Sequence, residues 1–291
     1  MIESIGGIKL KTISIESKLY PQILRTIVNP PQILYVLGDE NNLNKKSLSI
    51  IGSRNASEYG RETARKFARG IAMQGINIVS GMAMGIDSEA HLGAIEAGGT
   101  TIAVLGSGFN HIFPDKKVFE KILNNGGTVI TEYEPDVEVF SEGFRKRNRI
   151  VAGLSLGTLV VEAKAKSGTS ITARFVQQFN RKVFCIPHAI EDDYGKGTNK
   201  LLKSGAILVT DILDILEYYD ISEVVETINI EENIDVPEEY RECYNMIEKN
   251  PISSNQISKL TNKSISEVNT ILTMLELEGL IKSLPGNYFC K

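Results

Sequence analysis

Four stretches of this 291-residue chain open glycine- or serine-bearing turns directly after an apolar, β-branched run. They are Gly52-Ser53-Arg54-Asn55-Ala56-Ser57, Gly81-Met82-Ala83-Met84-Gly85-Ile86-Asp87, Gly106-Ser107-Gly108 and Ala163-Lys164-Ala165-Lys166-Ser167-Gly168-Thr169-Ser170. Glycine lets backbone N–H groups approach a ligand, serine adds hydroxyl donors, and a following helix offers its N-terminus to an anion. Arg54, Lys164 and Lys166 add full positive charge. One such turn alone serves tight packing as readily as a ligand. Four together, two of them basic, point to a compound with several phosphates. A second cluster, SEGFRKRNRIVAG (141–153), interleaves Arg145, Lys146, Arg147 and Arg149 with Phe144 and Asn148. A solvated basic turn opening a helix is the plain reading of such a run. At the mouth of the same sheet edge it suits a nucleic-acid backbone.

Catalytic patterns are poor by contrast. Asp87 and His91 stand four apart on one helix face and could form an acid/base pair. Asp87 as a helix cap and His91 as a packed core residue is the stronger expectation. Glu132, Glu134 and Glu162 end strands without a recognisable glycosidase or nuclease spacing, and Cys185 lies inside an apolar strand as inert core. The dinucleotide fingerprint fails, because Gly106-Ser107-Gly108 continues as Phe109-Asn110-His111 and Ser80 stands where an acid would grip a ribose. There is no GxxxxGK[ST].

The elements that must carry these turns follow from periodicity. Residues 48–51, 76–80, 101–105, 128–131, 158–162, 183–186 and 206–209 form continuous apolar runs, as strands buried on both faces do. Amphipathic segments such as 58–75 and 87–99 lie between them. This alternation predicts βαβ units and a doubly wound, Rossmann-like parallel sheet over 47–220, with ligands at the carboxyl ends of the strands. Residues 1–46, broken at Pro30-Pro31, read as a small helix and an extended arm packed on that domain. Residues 221–236 hold five acids and no base and read as a linker. Residues 237–291 predict helices at 238–249, 254–261 and 265–278. Ser264 and Glu267 make a capping box for the last, Gly279 stops it, and a hairpin closes at Pro285-Gly286-Asn287. Three helices and a hairpin make a winged helix.

Composition bounds the rest. At 42% hydrophobic, 23% charged and net charge −4, the chain buries a sizeable core and is not disordered. No apolar run approaches the ~20 residues of a membrane span. The N-terminus lacks a secretory pattern, so a soluble, cytoplasmic protein is expected. Cys185, Cys243 and Cys290 are far apart, and His91, His111 and His188 have no ligand spacing, so neither disulfides nor a metal nor a cofactor is expected. The acidity is localised: residues 1–220 hold 26 Lys and Arg against 24 Asp and Glu, whereas 221–291 hold 6 against 12. The main body can therefore meet an anionic partner. The predicted last helix has no Lys or Arg but carries Glu267, Glu276 and Glu278. Its Val268, Ile271, Leu272, Leu275 and Leu277 exceed one buried stripe. That unit is expected to contact protein, or to hold the two halves of a dimer in place, rather than to be the main DNA-binding module.

SIIGSRNASEYG, SGMAMGIDSEAHLGAIEAGGTTIAVLGSG, RNRIVAGLS, VVEAKAKSGTSITA and NRKVFCIP, in this order, resemble the DNA-processing protein A family, also called Smf. The likeness covers about 20–220, and the C-terminal winged helix resembles a domain appended in many members. It implies a Rossmann-like domain that binds single-stranded DNA, forms a homodimer and loads the RecA recombinase in natural transformation or related recombination. The family's Gly-Ser-Arg falls on Gly52, Ser53 and Arg54, its Arg-Asn-Arg on Arg147, Asn148 and Arg149, and its basic Ser-Gly loop on Lys166, Ser167, Gly168 and Thr169. The residues themselves add Ser57, Gly81, Gly106, Ser107, Arg145 and Lys164 to the expected DNA-binding set. Arg145 stands where the family has proline, His188 where it has glycine, and the N-terminal region is short. The leading expectation is a non-enzymatic single-strand-binding recombination mediator. The alternatives are a nucleotide-processing phosphoribohydrolase or a nucleotide-sensing domain of a related fold.

Overall fold

The structure, a computed structural model, describes residues 4–5, 7–138, 140–164, 168–219, 236–247 and 251–290. The acidic segment read as a linker lies almost wholly outside them. Contacts divide the chain into residues 1–224 and 225–291.

The first unit opens with a short antiparallel pair, β1 (Ser4–Ile5) and β2 (Ile8–Lys9). β3 (Lys11–Ser14), α1 (Gln22–Arg25) and β4 (Ile33–Gly38) follow. The alternating part is β5 (Ser47–Ile51), α2 (Glu58–Met73), β6 (Asn77–Ser80), α3 (Ile86–Glu96), β7 (Thr101–Val104), α4 (Lys116–Asn124) and β8 (Thr128–Thr131). It continues through α5 (Ser141–Gly153), β9 (Gly157–Val160), α6 (Thr169–Gln178), β10 (Lys182–Cys185), α7 (Lys196–Lys203), β11 (Ile207–Leu208) and α8 (Leu213–Leu216). Among the described residues one sheet runs in the order β11-β10-β9-β5-β6-β7-β8-β4-β3. The strands from β5 to β11 pair in parallel, and β4 joins β8 antiparallel. The chain winds one way from β5 through β8 and the other way from β9 through β11, so the order reverses between β5 and β9.

The continuous apolar runs are explained by two cores, one on each face. Ile102 and Val104 of β7 pack with Ile130, Val160, Ile150, Val151 and Val176, whereas Ala103 and Leu105 pack with Val129, Phe119 and Ile122. The expectation for residues 1–46 needs one correction. The arm does not merely lie on the domain, because β3 and β4 extend its sheet antiparallel. Their alternation is masked because Leu34, Val36 and Leu37 are all buried, on both faces of β4.

The second unit contains α9 (Glu238–Asn245), β12 (Ile252–Ser253), α10 (Ser254–Thr261), α11 (Ile265–Leu277), β13 (Lys282–Leu284) and β14 (Tyr288–Cys290). The strands pair antiparallel in the order β12-β14-β13. Its core joins Cys243, Ile247, Ile257, Val268, Leu272, Leu275 and Ile281. The capping box at Ser264 and Glu267 is present, and a second one at Ser253 and Gln256 starts α10. Gly279, at φ +72°, ends α11. Among the described residues no helix is long and apolar enough to cross a membrane, and no group of three or more His, Cys, Asp and Glu could hold a metal ion.

Candidate nucleic-acid interface

The carboxyl ends of β5 to β9 carry the turns singled out by their residue types. Backbone packs on backbone here. A Cβ at Gly85 (φ +80°) would strike the carbonyls of Ser53 and Arg54, and the Ile86 amide donates to Ser53 O at 3.3 Å. The turns after β5 and β6 are thereby fixed to one another. Ser57 caps α2 by accepting from the Gly60 amide at 3.0 Å. The buried carboxylate of Glu162, just beyond β9, accepts from the Ser57 amide at 3.1 Å and from the Ser57 hydroxyl. Glu162 thus ties the strand ends on either side of the reversal point.

Arg54 is exposed, and its guanidinium lies 5.1 Å from the centroid of the Phe144 ring. The start of α5 crosses directly over Gly106, whose Cα faces the Phe144 backbone and ring, while a Cβ at Gly143 would strike Gly106 O. Phe113, also exposed, stands 5.9 Å from Phe144. Beside them Lys146 Nζ lies 5.7 Å from the Tyr133 ring centroid, and Tyr133 meets Phe140 edge-on at 5.5 Å. Arg145, between Phe144 and Lys146 in α5, is exposed.

Beneath the rim lies a layer of buried charge. A Cβ at Gly81 would fall inside the Arg147 guanidinium, so only glycine lets Arg147 stack there. Among the described residues no acceptor faces Arg147 Nε. Burial pushes Arg147 down to about 10, against the opposing attraction of Asp87, which leaves it a cation at neutral pH. Asp87 accepts from the Gly81 and Ala83 amides at 3.1 and 3.4 Å. Burial raises its carboxyl, while Arg147 and those amides pull it back down. His91 is fully enclosed, and burial, then Arg147, depresses it to about 3. Thr101 Oγ1 donates to Ile78 O, so it accepts from His91 Nδ1 at 2.7 Å and fixes the Nδ1–H tautomer. Neither member of the Asp87–His91 pair is placed for proton transfer. Asp87 is not the cap of α3 either, since Gly85 occupies that position.

The chain matches the DNA recombination-mediator protein A family over residues 11–220 and the DprA winged helix domain over 233–287. It belongs to the DNA recombination-mediator protein A family. It is 35% identical to protein Smf of Escherichia coli over 281 residues, spanning 94% of this chain and 75% of that one. It is 37% identical to the DNA processing protein DprA of Bacillus subtilis over 210 residues, 72% of this chain and 71% of that one. Among solved structures, DprA of Streptococcus pneumoniae superposes with a TM-score of 0.67 at 36% identity, covering 72% of this chain and 74% of that one. DprA of Helicobacter pylori, described for its single-stranded DNA binding mode, gives 0.66 at 29% identity, covering 73% and 96%.

Within this member of the family the expected residues separate into three groups. Arg54, Arg145, Lys164 and Gly168 are exposed at the strand-end edge, and Gly52, Ser53 and Asn148 are half-buried there. Lys166 and Ser167 lie outside the described residues. The remaining expected residues are buried, covered or hydrogen-bonded within the protein. Arg149 donates to both carboxylate oxygens of Glu132 at 2.8 Å and to Asn29 O at 3.0 Å, which makes it an internal tie. Arg147 is 4% exposed and lies against Gly81. Ser57 is occupied by Glu162 and Gly60. Ser107 Oγ donates to His111 O at 2.8 Å, and the Gly81 amide is taken by Asp87. Gly106 is covered by α5, and Thr169 is buried. The sequence set omitted Phe144 and Phe113. An aromatic between bases was a signal for the first, but nothing local marked the second.

Proposed function

We propose that this protein is a non-enzymatic recombination mediator that binds single-stranded DNA at the carboxyl edge of its sheet. The observation that carries this is the rim of Arg54 over Phe144, set above a buried Arg147 cation that has no direct ion pair among the described residues. A cationic floor and a half-buried ring under an exposed cation attract phosphate and offer a face to a base, the combination that single strands require. The family, and the single-stranded DNA binding described for the Helicobacter pylori member, support the same ligand. In this reading the protein acts in the cytoplasm as a homodimer, shields the strand and loads a RecA recombinase onto it, in DNA uptake of the transformation type.

The test is titration of oligo-dT and a blunt duplex at several salt concentrations. About four to six neutralised phosphates give a log–log salt slope near −3 to −4, and Arg54→Ala flattens it by about 0.7. Equal affinity for the duplex, or binding insensitive to salt, would refute the reading. Saturable release of free base from nucleoside monophosphates would favour a phosphoribohydrolase instead. RecA filament assembly on covered single strands, with and without the protein, tests the loading step.

A further inference from the structure

The Arg54–Phe144 rim occupies only one side of the reversal point, that of β6 to β8. On the other side, above β9 and β10, a second group of rings and bases stands on the surface. Tyr59, in the first turn of α2, is 51% exposed and meets the His188 ring edge-on at 5.8 Å. His188 Nδ1 donates to Ile186 O at 3.1 Å, which fixes the ring, and a Cβ at Gly195 would collide with it. Next to Gly195, Tyr194 presents its face to Lys164 Nζ, 5.2 Å from the centroid. The Ala163 amide donates to Tyr194 O at 2.9 Å, so this loop is tied to the end of β9. Asn199 joins α7 to the same place, its side chain accepting from the His188 amide at 3.2 Å and donating to His188 O at 3.0 Å. Lys196, Lys200 and Lys203 are exposed and recur at helical spacing along α7.

We infer that Tyr59, His188 and Tyr194, with Lys164 and the α7 lysines, form a second nucleotide subsite that takes the continuation of the same single strand. This rests on the single-strand reading above and extends it across the reversal point. The local charge favours an anion. Asp193 is paired with Lys196 at 2.5 Å, and Asp192 is turned inward to accept the Tyr194 amide at 2.8 Å. With that pair set aside, the three cations Lys164, Lys200 and Lys203 outnumber the two acids Glu191 and Asp192 of the loop. The Lys164 ammonium, on a flexible stem, can leave the Tyr194 ring for a phosphate, exposing a face on which a base stacks. The strand order makes the connection continuous. From β8 to β10 there are five strand spacings, a span of about 24 Å, which a single strand within the usual site size of about 4–16 nucleotides can cover.

The full-length protein is titrated by fluorescence anisotropy with oligo-dT of about 6 and about 20 nucleotides. The subsite predicts that Tyr59→Ala with Tyr194→Ala weakens the longer oligonucleotide about tenfold and leaves the shorter unchanged. Tyr59→Phe with Tyr194→Phe retains wild-type affinity, because the ring face is kept. Lys200→Gln with Lys203→Gln flattens the salt slope for the longer oligonucleotide by about 1.4. An unchanged affinity for the longer strand in the double alanine variant overturns the inference, and so does an equal loss at both lengths. In those cases Arg54→Ala still weakens both oligonucleotides if the broader reading is right. Failure of Arg54→Ala to weaken either one is the separate outcome that removes the broader reading.

Discussion

Helices α5 and α11 have the same length, 13 residues, and nearly opposite surfaces. α5 turns two arginines inward, with Arg147 at 4% and Arg149 at 7% exposure, and keeps Arg145 and Lys146 outside. α11 buries Val268, Leu272 and Leu275 but leaves Leu277 76% and Ile265 50% exposed, and it has no base at all. The inverted pattern of α5 is stable because Glu132, just beyond β8, and Asp87, in the first turn of α3, supply counter-charges. Basic residues in one short run therefore perform two tasks. Half of them hold the edge together, and the other half face the solvent where an anion would arrive. In α11 a phosphate backbone would meet Glu276 and exposed leucine, so this helix lacks the cationic face that major-groove reading requires.

The largest expected effect tests the internal role of α5. Arg149→Met should destabilise the protein by about 3 kcal/mol, because Glu132 is left nearly buried with only the partly exposed Lys146, 3.6 Å away, as a counter-charge. Chemical denaturation measures this. A loss below about 0.5 kcal/mol, the range of ordinary surface substitutions, would mean that the tie is not structural and that Arg149 is free for a ligand.

His91 provides a pH-resolved probe of the same buried layer. Its depressed folded-state pKa, about 3 against an ordinary 6.5, means that the unfolded chain binds the extra proton between those values. Stability from this group is complete above pH 6.5 and falls with decreasing pH by about 1.4 kcal/mol per unit. His91→Leu should remove that slope relative to wild type between pH 6 and 4. Superimposable pH profiles would show that the ring is accessible to protons in the folded state.

On the outer side, Arg54→Ala should reduce affinity for oligo-dT about tenfold, or about 1.4 kcal/mol, with an unchanged unfolding midpoint. A shifted midpoint would place Arg54 with Arg149 as a structural residue and erase the distinction between the two sides of the rim. The smallest effect is expected from the second unit. A chain ending near Asp220 should keep oligo-dT affinity within about tenfold of the full chain. A greater loss in a truncation that remains folded would show that the winged helix carries DNA despite the surface of α11.

Much of this was legible in the residues. Apolar runs of four or five with glycine-rich exits specify parallel strands buried on both faces, because water and polar groups are excluded from both sides alike. The capping box at Ser264 and the stop at Gly279 are local chemistry, complete within a few residues. β3 and β4 were less legible, since β4 depends on its antiparallel partner β8, about 90 residues away, and the edge strand β3 depends on β4. The chemical types at the strand ends were legible too, but not their direction. Whether an arginine after β8 faces a phosphate or a glutamate depends on what the other strand ends place beside it. Gly81 opens the space that Arg147 fills, and Glu132 takes both free ends of Arg149. The sequence alone determined that glycine, serine and base would gather at one edge of a parallel sheet, because strand–helix alternation and positive φ at glycine are short-range properties. Only the tertiary structure decided which of those charges are neutralised inside and which remain on the rim, because desolvation and pairing are set by neighbours that the chain brings together from far apart.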